Sequence, residues 1–175
     1  MNKNNDGYIR PMTEADLLHV LNWRNHPDIR QFMYQTHEIT FDEHLVWFQR
    51  ESNNKNRHLL IFEYDNTASG FINLSQKDDI VEWGFYVAPN ASKGLGLFLG
   101  RSVLNYVFHQ LCLHKIMGHV LEFNVKSMKF HQKLGFTQEG LFREHYFDGL
   151  KYHNIVYYGL LRHEWEALSR SADDN

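Results

Sequence analysis

The chain has 175 residues and a mass of 20.9 kDa, and 18 basic against 21 acidic side chains leave a formal charge of −3. That length suits a single domain, set at residues 1–168 with a disordered tail over 169–175. The charge excludes a nucleic-acid footprint. Apolar runs are short and the Met1–Asp6 start has no apolar core, so a transmembrane helix and a signal peptide are both excluded. No membrane partner and a cytoplasmic location are expected. The one cysteine, Cys112, fits the same compartment because it can form no internal disulfide. Twelve histidines and 15% aromatic residues are the unusual counts.

Tyr8–Met12 predicts a short edge strand, with Pro11 tolerated there. Thr13 and Asp16 stand at capping-box spacing before a helix carrying Leu17, Leu18 and Leu21. Trp23-Arg24-Asn25-His26-Pro27 reads as a turn into a short helix, since proline suits a first helical position. Thr40-Phe41-Asp42-Glu43 is a second capping box, opening a helix that turns Leu45, Trp47 and Phe48 inward. From His58 the pattern changes to strands: His58–Glu63 and Gly70–Leu74 flank a turn at Asp65–Ser69, and Val81–Val87 alternates until Pro89. Leu95, Leu99, Val103, Val107 and Leu111 recur at fours in a long helix. A strand over Lys115–Phe123, a helix over Val125–Leu134 closed by Gly135, and a hairpin of Phe142–Phe147 with Tyr152–Leu161 complete the order. The result is an α/β (α+β) fold with a mixed sheet. Three consecutive strands without crossover helices exclude a doubly wound nucleotide fold.

Val87–Leu97 is a strand, a small-residue loop and a helix start. Gly94 and Gly96 let the backbone approach a ligand, and the first helical amides with Lys93 suit phosphate oxygens. An ordinary strand-to-helix turn has the same G-x-G pattern, which is neither a Rossmann nor a Walker A motif. The segment Asn124-Val125-Lys126-Ser127-Met128-Lys129-Phe130-His131-Gln132-Lys133-Leu134-Gly135-Phe136 follows a strand about thirty residues downstream. Together the two segments resemble the GNAT N-acetyltransferase superfamily, over nearly the whole chain.

The resemblance implies a mostly antiparallel sheet splayed between its fourth and fifth strands, with helices on both faces. It also implies acetyl-CoA as co-substrate and no metal. Pantetheine would pair with Phe85, Tyr86 and Val87, as an added strand does. Pyrophosphate would sit on Ser92, Lys93, Gly94, Leu95, Gly96 and Leu97, while Asn124, Ser127 and Phe130 match positions at the thioester end. In one departure, Ala91 stands where the family usually has Gln or Arg, which leaves more of the binding to Lys93 and the backbone.

The N-terminal third resembles the GNAT enzymes of pseudaminic acid biosynthesis in Trp23–Arg30, Met33-Tyr34 and Glu43-His44. Such an enzyme acetylates the 4-amine of UDP-4-amino-4,6-dideoxy-N-acetyl-β-L-altrosamine and serves flagellin or surface-glycan modification. Arg24 then offers a fork for the diphosphate, and Met33, Tyr34 and Trp47 an apolar wall for the sugar methyl or uracil. Met33 and Trp47 serve equally as core residues. His26 falls beside the substrates, and His37 and His44 suit sugar hydroxyls or phosphate.

Amide formation from a thioester needs a neutral amine, an aligned electrophile and an oxyanion donor, for which the Phe85 and Tyr86 amides are natural. His131 occupies the position where the family usually places a tyrosine acid; it either donates a proton, hydrogen-bonds, or sits in solvent. Glu82 and His119 on the central strands are the base candidates, acting directly or through water. The histidines lack metal-ligand spacing, and Cys112 reads as a buried small hydrophobe rather than a nucleophile. The last hairpin is aromatic beyond the needs of a turn, and its rings suit the acceptor pocket or a homodimer contact. The resulting reading is acetyl transfer in a ternary complex, without a covalent intermediate, to a nucleotide-linked amino sugar. Two alternatives stand beside it: the same chemistry on a ribosomal-protein N-terminus or polyamine, and a non-catalytic acyl-CoA-binding sensor.

Overall fold

The structure, a computed structural model, describes residues 7–173. Along it run β1 (Tyr8–Pro11), α1 (Leu17–Asn25), α2 (Pro27–Arg30), α3 (Phe41–Ser52), β2 (Arg57–Tyr64), β3 (Thr67–Lys77) and β4 (Ile80–Val87). After them come α4 (Leu95–Asn105), β5 (Lys115–Leu121), α5 (Val125–Lys133), β6 (Thr137–Phe147), β7 (Tyr152–Leu161) and α6 (Arg162–Asp173). The strand order is β1-β2-β3-β4-β5-β7-β6. The pairs β1–β2, β2–β3, β5–β7 and β6–β7 are antiparallel, and β4–β5 is parallel, which is the mixed, mostly antiparallel sheet expected. The β4–β5 ladder covers only Ile80, Val81 and Glu82 against Lys115, Ile116 and Met117. The chain divides there into two compact units. One holds the chain up to Gln76 with Trp83–Val103, and the other holds Lys77–Glu82 with the chain from Leu104 onward.

In the first unit, Thr13 and Asp16 form the expected box, leading through one 3-10 turn into α1. Asp16 is buried, which opposes its ionisation. The Arg10 fork at 2.7 Å on both oxygens and the Thr13 amide at 2.8 Å overcome that cost and hold the carboxyl at about 2. Leu17 and Val20 of α1, Phe48 of α3, and Leu59, Ile61 and Phe71 of the strands form one core cluster with Met12. Strand alternation turns Gly70 to the other face, where an added Cβ would strike Leu99 of α4 and approach the Tyr86 carbonyl to 3.1 Å. Helices therefore cover both faces of this unit's strands. Asp65 and Asn66 both have positive φ (50° and 58°), so β2 and β3 meet in a two-residue hairpin turn, tighter than the expected Asp65–Ser69.

In the second unit, Ile116, Gly118 and Val120 of β5 are buried while Lys115, Met117 and His119 are half-exposed, so one face is packed and the other open. The helix expected to continue to Leu111 passes into a π-helical turn over Tyr106–Gln110, and Leu111 donates to the Tyr106 carbonyl. Cys112 follows in a left-handed conformation (φ 55°) and is exposed, which corrects the buried reading: chain reversal lifts it off the apolar face. Strand β6 starts at Thr137, five residues before the expected hairpin, because Thr137–Phe142 pair with β7. Helix α6 takes up residues 169–173 of the expected tail. Its Trp165 is buried, and Leu168 lies where a side chain on Gly135 would stand, so the segment is anchored by apolar contact. Residues 174 and 175 lie outside the described residues.

Gly135 closes α5 at φ +90°, a conformation that side-chain-bearing residues adopt at a cost. Gly135→Ala should lower stability by about 1–3 kcal/mol, read as a shift of the urea midpoint at unchanged slope.

Candidate active site

A cavity of about 500 Å3 opens within the first unit. Helix α1 supplies Arg24, the loop after α2 supplies Met33, Gln35, His37 and Ile39, α3 supplies His44, Trp47 and Arg50, and the strands supply Phe71, Asn73, Gly84 and Tyr86. The loop has no regular structure of its own and is tied down by side chains. Asn25 donates to the Ile39 carbonyl (2.8 Å) and accepts from the Ile39 amide (2.9 Å), Arg24 Nη2 donates to the Gln35 carbonyl (2.6 Å), and Arg30 pairs with Glu38 (2.8 Å).

Two buried polar atoms of this cavity's residues have no protein partner: Arg24 Nη1 and His44 Nε2. Burial lowers the pKa of both side chains. For His44 a hydrogen bond to the Leu17 backbone opposes the shift and the Arg24 charge adds to it. His44 is 4% exposed and therefore neutral at pH 7, with Nε2 presenting a lone pair. The His44 ring stacks on Trp47 (5.2 Å), Trp47 meets Phe71 edge-on (5.9 Å), and Phe71 packs on Tyr86 (5.2 Å). Trp47 thus packs on the core and lines the cavity at once. Glu43 is the only carboxylate among the lining residues. Its oxygens are committed to the Thr40 amide (2.7 Å), the Thr40 hydroxyl (2.9 Å) and His37 (3.4 Å).

Four of the six expected acceptor residues, Arg24, Met33, His44 and Trp47, line this cavity; His26 and Tyr34 are not among its lining residues. His26 is the N-cap of α2, its Nδ1 accepting from the Asp28 amide (3.3 Å), so that nitrogen is committed to the helix end. Tyr34 is 45% exposed. Gln35, Ile39, Arg50, Phe71, Asn73 and Gly84 line the cavity without a local motif to mark them, although β3 alternation places Phe71 and Asn73 on one face.

In the second unit, His119 Nδ1 lies 2.9 Å from Glu82 Oε1, so the two base candidates form one pair. The Tyr157 ring stands 5.7 Å from His119, and burial and the Glu82 charge both raise its phenol pKa. His131 is 2% exposed, stacked on Tyr158 (5.0 Å), with Nδ1 at 2.8 Å from the Ser127 carbonyl. Burial lowers its pKa to about 4, against the opposing Ser127 bond. The neutral ring carries its proton on Nδ1, facing Ser127, and Nε2 is the acceptor nitrogen. This burial corrects the reading that places His131 in solvent. Asn124 caps α5, its Oδ1 accepting from the Ser127 amide (3.1 Å), and Ser127 and Phe130 are half-buried on that helix.

In the first unit, Phe85, Tyr86 and Val87 follow the last residue of β4 that pairs with β5. Ser92, Lys93 and Gly94 are exposed at the start of the eleven-residue α4, with Gly94 at φ +89° and open space where a Cβ would be. The Leu95 and Leu97 amides already donate to Ser92 and Gly94 carbonyls (3.2 and 3.0 Å).

The family described as acetyltransferase (GNAT) domain matches residues 8–137. The chain is a GNAT acetyltransferase. Acetyltransferase PseH of Campylobacter jejuni is 33% identical over 121 residues, 67% of this chain and 74% of the relative. Spermidine N(1)-acetyltransferase of Vibrio cholerae is 26% identical over 168 residues, 93% of this chain and 96% of the relative. A crystal structure of spermidine N-acetyltransferase from Vibrio cholerae with CoA and spermine superposes with a TM-score of 0.85 at 23% identity, covering 93% of this chain and 99% of that one. At that identity the likeness speaks for the fold.

As a GNAT enzyme the protein is an acetyl-CoA-dependent N-acetyltransferase. The residues present fit the cofactor's pyrophosphate: Lys93 is exposed and would supply charge, and Gly94 at the helix start would let the phosphates reach the backbone. Among the described residues no cluster of His, Cys, Asp or Glu could hold a metal, and no helix is long and apolar enough to cross a membrane.

The His131 shift has a consequence for stability. A free histidine titrates near 6.5, so between about pH 6.5 and 4 the unfolded chain binds a proton that the folded one refuses. The stabilisation is complete above that window and is lost as pH falls through it, on the order of 3 kcal/mol in total. Chemical denaturation from pH 7 to 4 should show this loss, and His131→Phe should flatten it.

Proposed function

We propose that this GNAT enzyme transfers the acetyl group of acetyl-CoA to the 4-amino group of a UDP-linked amino-deoxy sugar, as in pseudaminic acid biosynthesis. The observation that carries this reading is the buried Arg24 Nη1 left without a protein partner in the cavity. A buried guanidinium nitrogen with an unfilled donor is costly, and an anionic oxygen such as that of a diphosphate removes the cost. His44 Nε2 asks for a ligand N–H or O–H, which a sugar hydroxyl or a uracil imide supplies. The aromatic row from His44 to Tyr86 suits the apolar face of a deoxy-sugar. The similarity to PseH supports the same acceptor class.

A polyamine or a peptide N-terminus is the competing acceptor, supported by the spermidine acetyltransferase relatives. Cationic chains need free carboxylates, and the cavity offers one, already occupied as a helix cap, beside Arg24 and Arg50.

In the reaction the acceptor nitrogen attacks the thioester carbonyl, the C–N bond forms, and the C–S bond breaks to release CoA thiolate. The His119–Glu82 pair takes the ammonium proton, directly or through water, with the carboxylate fixing the imidazole. A thiolate leaves without a strong acid, which accords with a neutral His131.

Release of CoA thiol is measured with the UDP-4-amino sugar, spermidine and a ribosomal-protein N-terminal peptide. Turnover with the sugar is expected, and Arg24→Ala should raise its KM about ten- to a hundredfold, the range of a charged hydrogen bond. Turnover with the cations alone overturns the reading, and CoA binding without turnover on any amine points to a sensor. His119→Asn should cut kcat most near neutral pH and recover toward alkaline pH, where the acceptor amine sheds its own proton. A uniform loss across pH removes the pair from proton transfer.

A further inference from the structure

A glycine inside a strand weakens it, because it adds freedom to the unfolded chain and offers its neighbours nothing to pack on. Strands keep one where φ is positive or where another element comes close. Gly70 has the second reason, since a side chain there would strike Leu99. Gly84 has neither. Its φ is ordinary, and an added Cβ would meet no heavy atom within 4 Å. It is exposed, although Trp83 before it is buried and Phe85 after it is half-buried. The protein itself therefore has room for a side chain at this position, yet the position is bare.

Gly84 does line the cavity that contains Arg24 and His44. Alternation along β4 puts it on the same face as Tyr86, two residues away. Tyr86 ends the aromatic row of His44, Trp47 and Phe71, in which successive rings stand 5.2, 5.9 and 5.2 Å apart. The row stops where the next side chain would be that of residue 84.

We propose that Gly84 is a specificity-determining residue whose missing side chain admits the ring of the acceptor, which lies on the β4 backbone and extends the aromatic row past Tyr86. The inference rests on the acceptor reading above and states which wall of the cavity the sugar ring uses. A saturated ring with an apolar face fills such a notch and packs on the Tyr86 edge. A slender linear amine has no need of it. A methyl group at 84 is harmless to the protein and occupies the ligand's space, so its effect falls on the acceptor alone.

Gly84→Ala and Gly84→Val separate these effects. Calorimetric binding is measured with a UDP-linked N-acetylated sugar that carries no free amine, and kinetics with the 4-amino sugar and with acetyl-CoA. The acceptor KM and the ring-ligand Kd should rise about tenfold for Ala and further for Val, the scale of one misplaced methyl group in a binding pocket. The acetyl-CoA KM should stay unchanged, and the melting temperature should not fall. Unchanged ring affinity in both variants overturns the proposal, and so does a parallel loss of acetyl-CoA affinity. A wild-type enzyme that binds the ring ligand but does not acetylate the sugar defeats the acceptor reading, while the Ala–Val series on ring binding still decides Gly84. A wild type that binds no ring ligand overturns the Gly84 proposal itself.

Discussion

The reciprocal hydrogen bonds between the Asn25 side chain and the Ile39 backbone hold the cavity of the first unit together. The chain from Gln31 to Ile39 crosses from α2 to α3 without a strand or helix of its own, so its peptide groups must find partners elsewhere. Asn25 supplies one donor and one acceptor in the manner of a neighbouring strand, and Arg24 adds a donor to the Gln35 carbonyl. These bonds fix Met33, Gln35 and Ile39 as one wall of the cavity and hold the guanidinium against it. Without them the loop would have to be ordered at the moment of binding, and Arg24 would be hydrated.

Placing one nitrogen of Arg24 on the loop leaves the other with nothing to bind. The cavity tolerates this because the nearby imidazole is neutral: burial and the Arg24 charge both disfavour a proton on His44. One cation and one lone pair then stand in the same apolar surroundings. A cationic ligand meets a charge of its own sign there, whereas an anion with an adjacent N–H or O–H satisfies both groups.

The second unit shows how environment divides a single residue type into different roles. His119 lies on the open face of β5, within 2.9 Å of the Glu82 carboxylate, and is half-exposed. His131 is enclosed by Tyr158, Phe136 and Phe130, its Nδ1 proton directed at Ser127, and is suited to packing. A third, His153, is buried with Asp148 at 2.6 Å and so pins the turn of the last hairpin. The excess of histidines in the composition therefore has no single explanation.

The sequence by itself determined the elements whose signals are local. The capping boxes at Thr13 and Thr40 and the fours-spaced leucines of α4 need only near neighbours along the chain, as does the strand-to-helix turn at Gly94. Helix α6 escaped notice because its apolar residues are few and their partner, the Gly135 corner, lies some thirty residues upstream in the sequence. The sequence also singled out Arg24 and His44, both of which line the cavity. Tertiary structure alone decided which polar atoms are left over once the loop is tied and the helices are capped. It turned His26 into a cap, left Arg24 Nη1 and His44 Nε2 without partners, and buried His131 against Tyr158. Burial and hydrogen-bond partners belong to the packed chain, and protonation follows them; residue identity alone fixes neither.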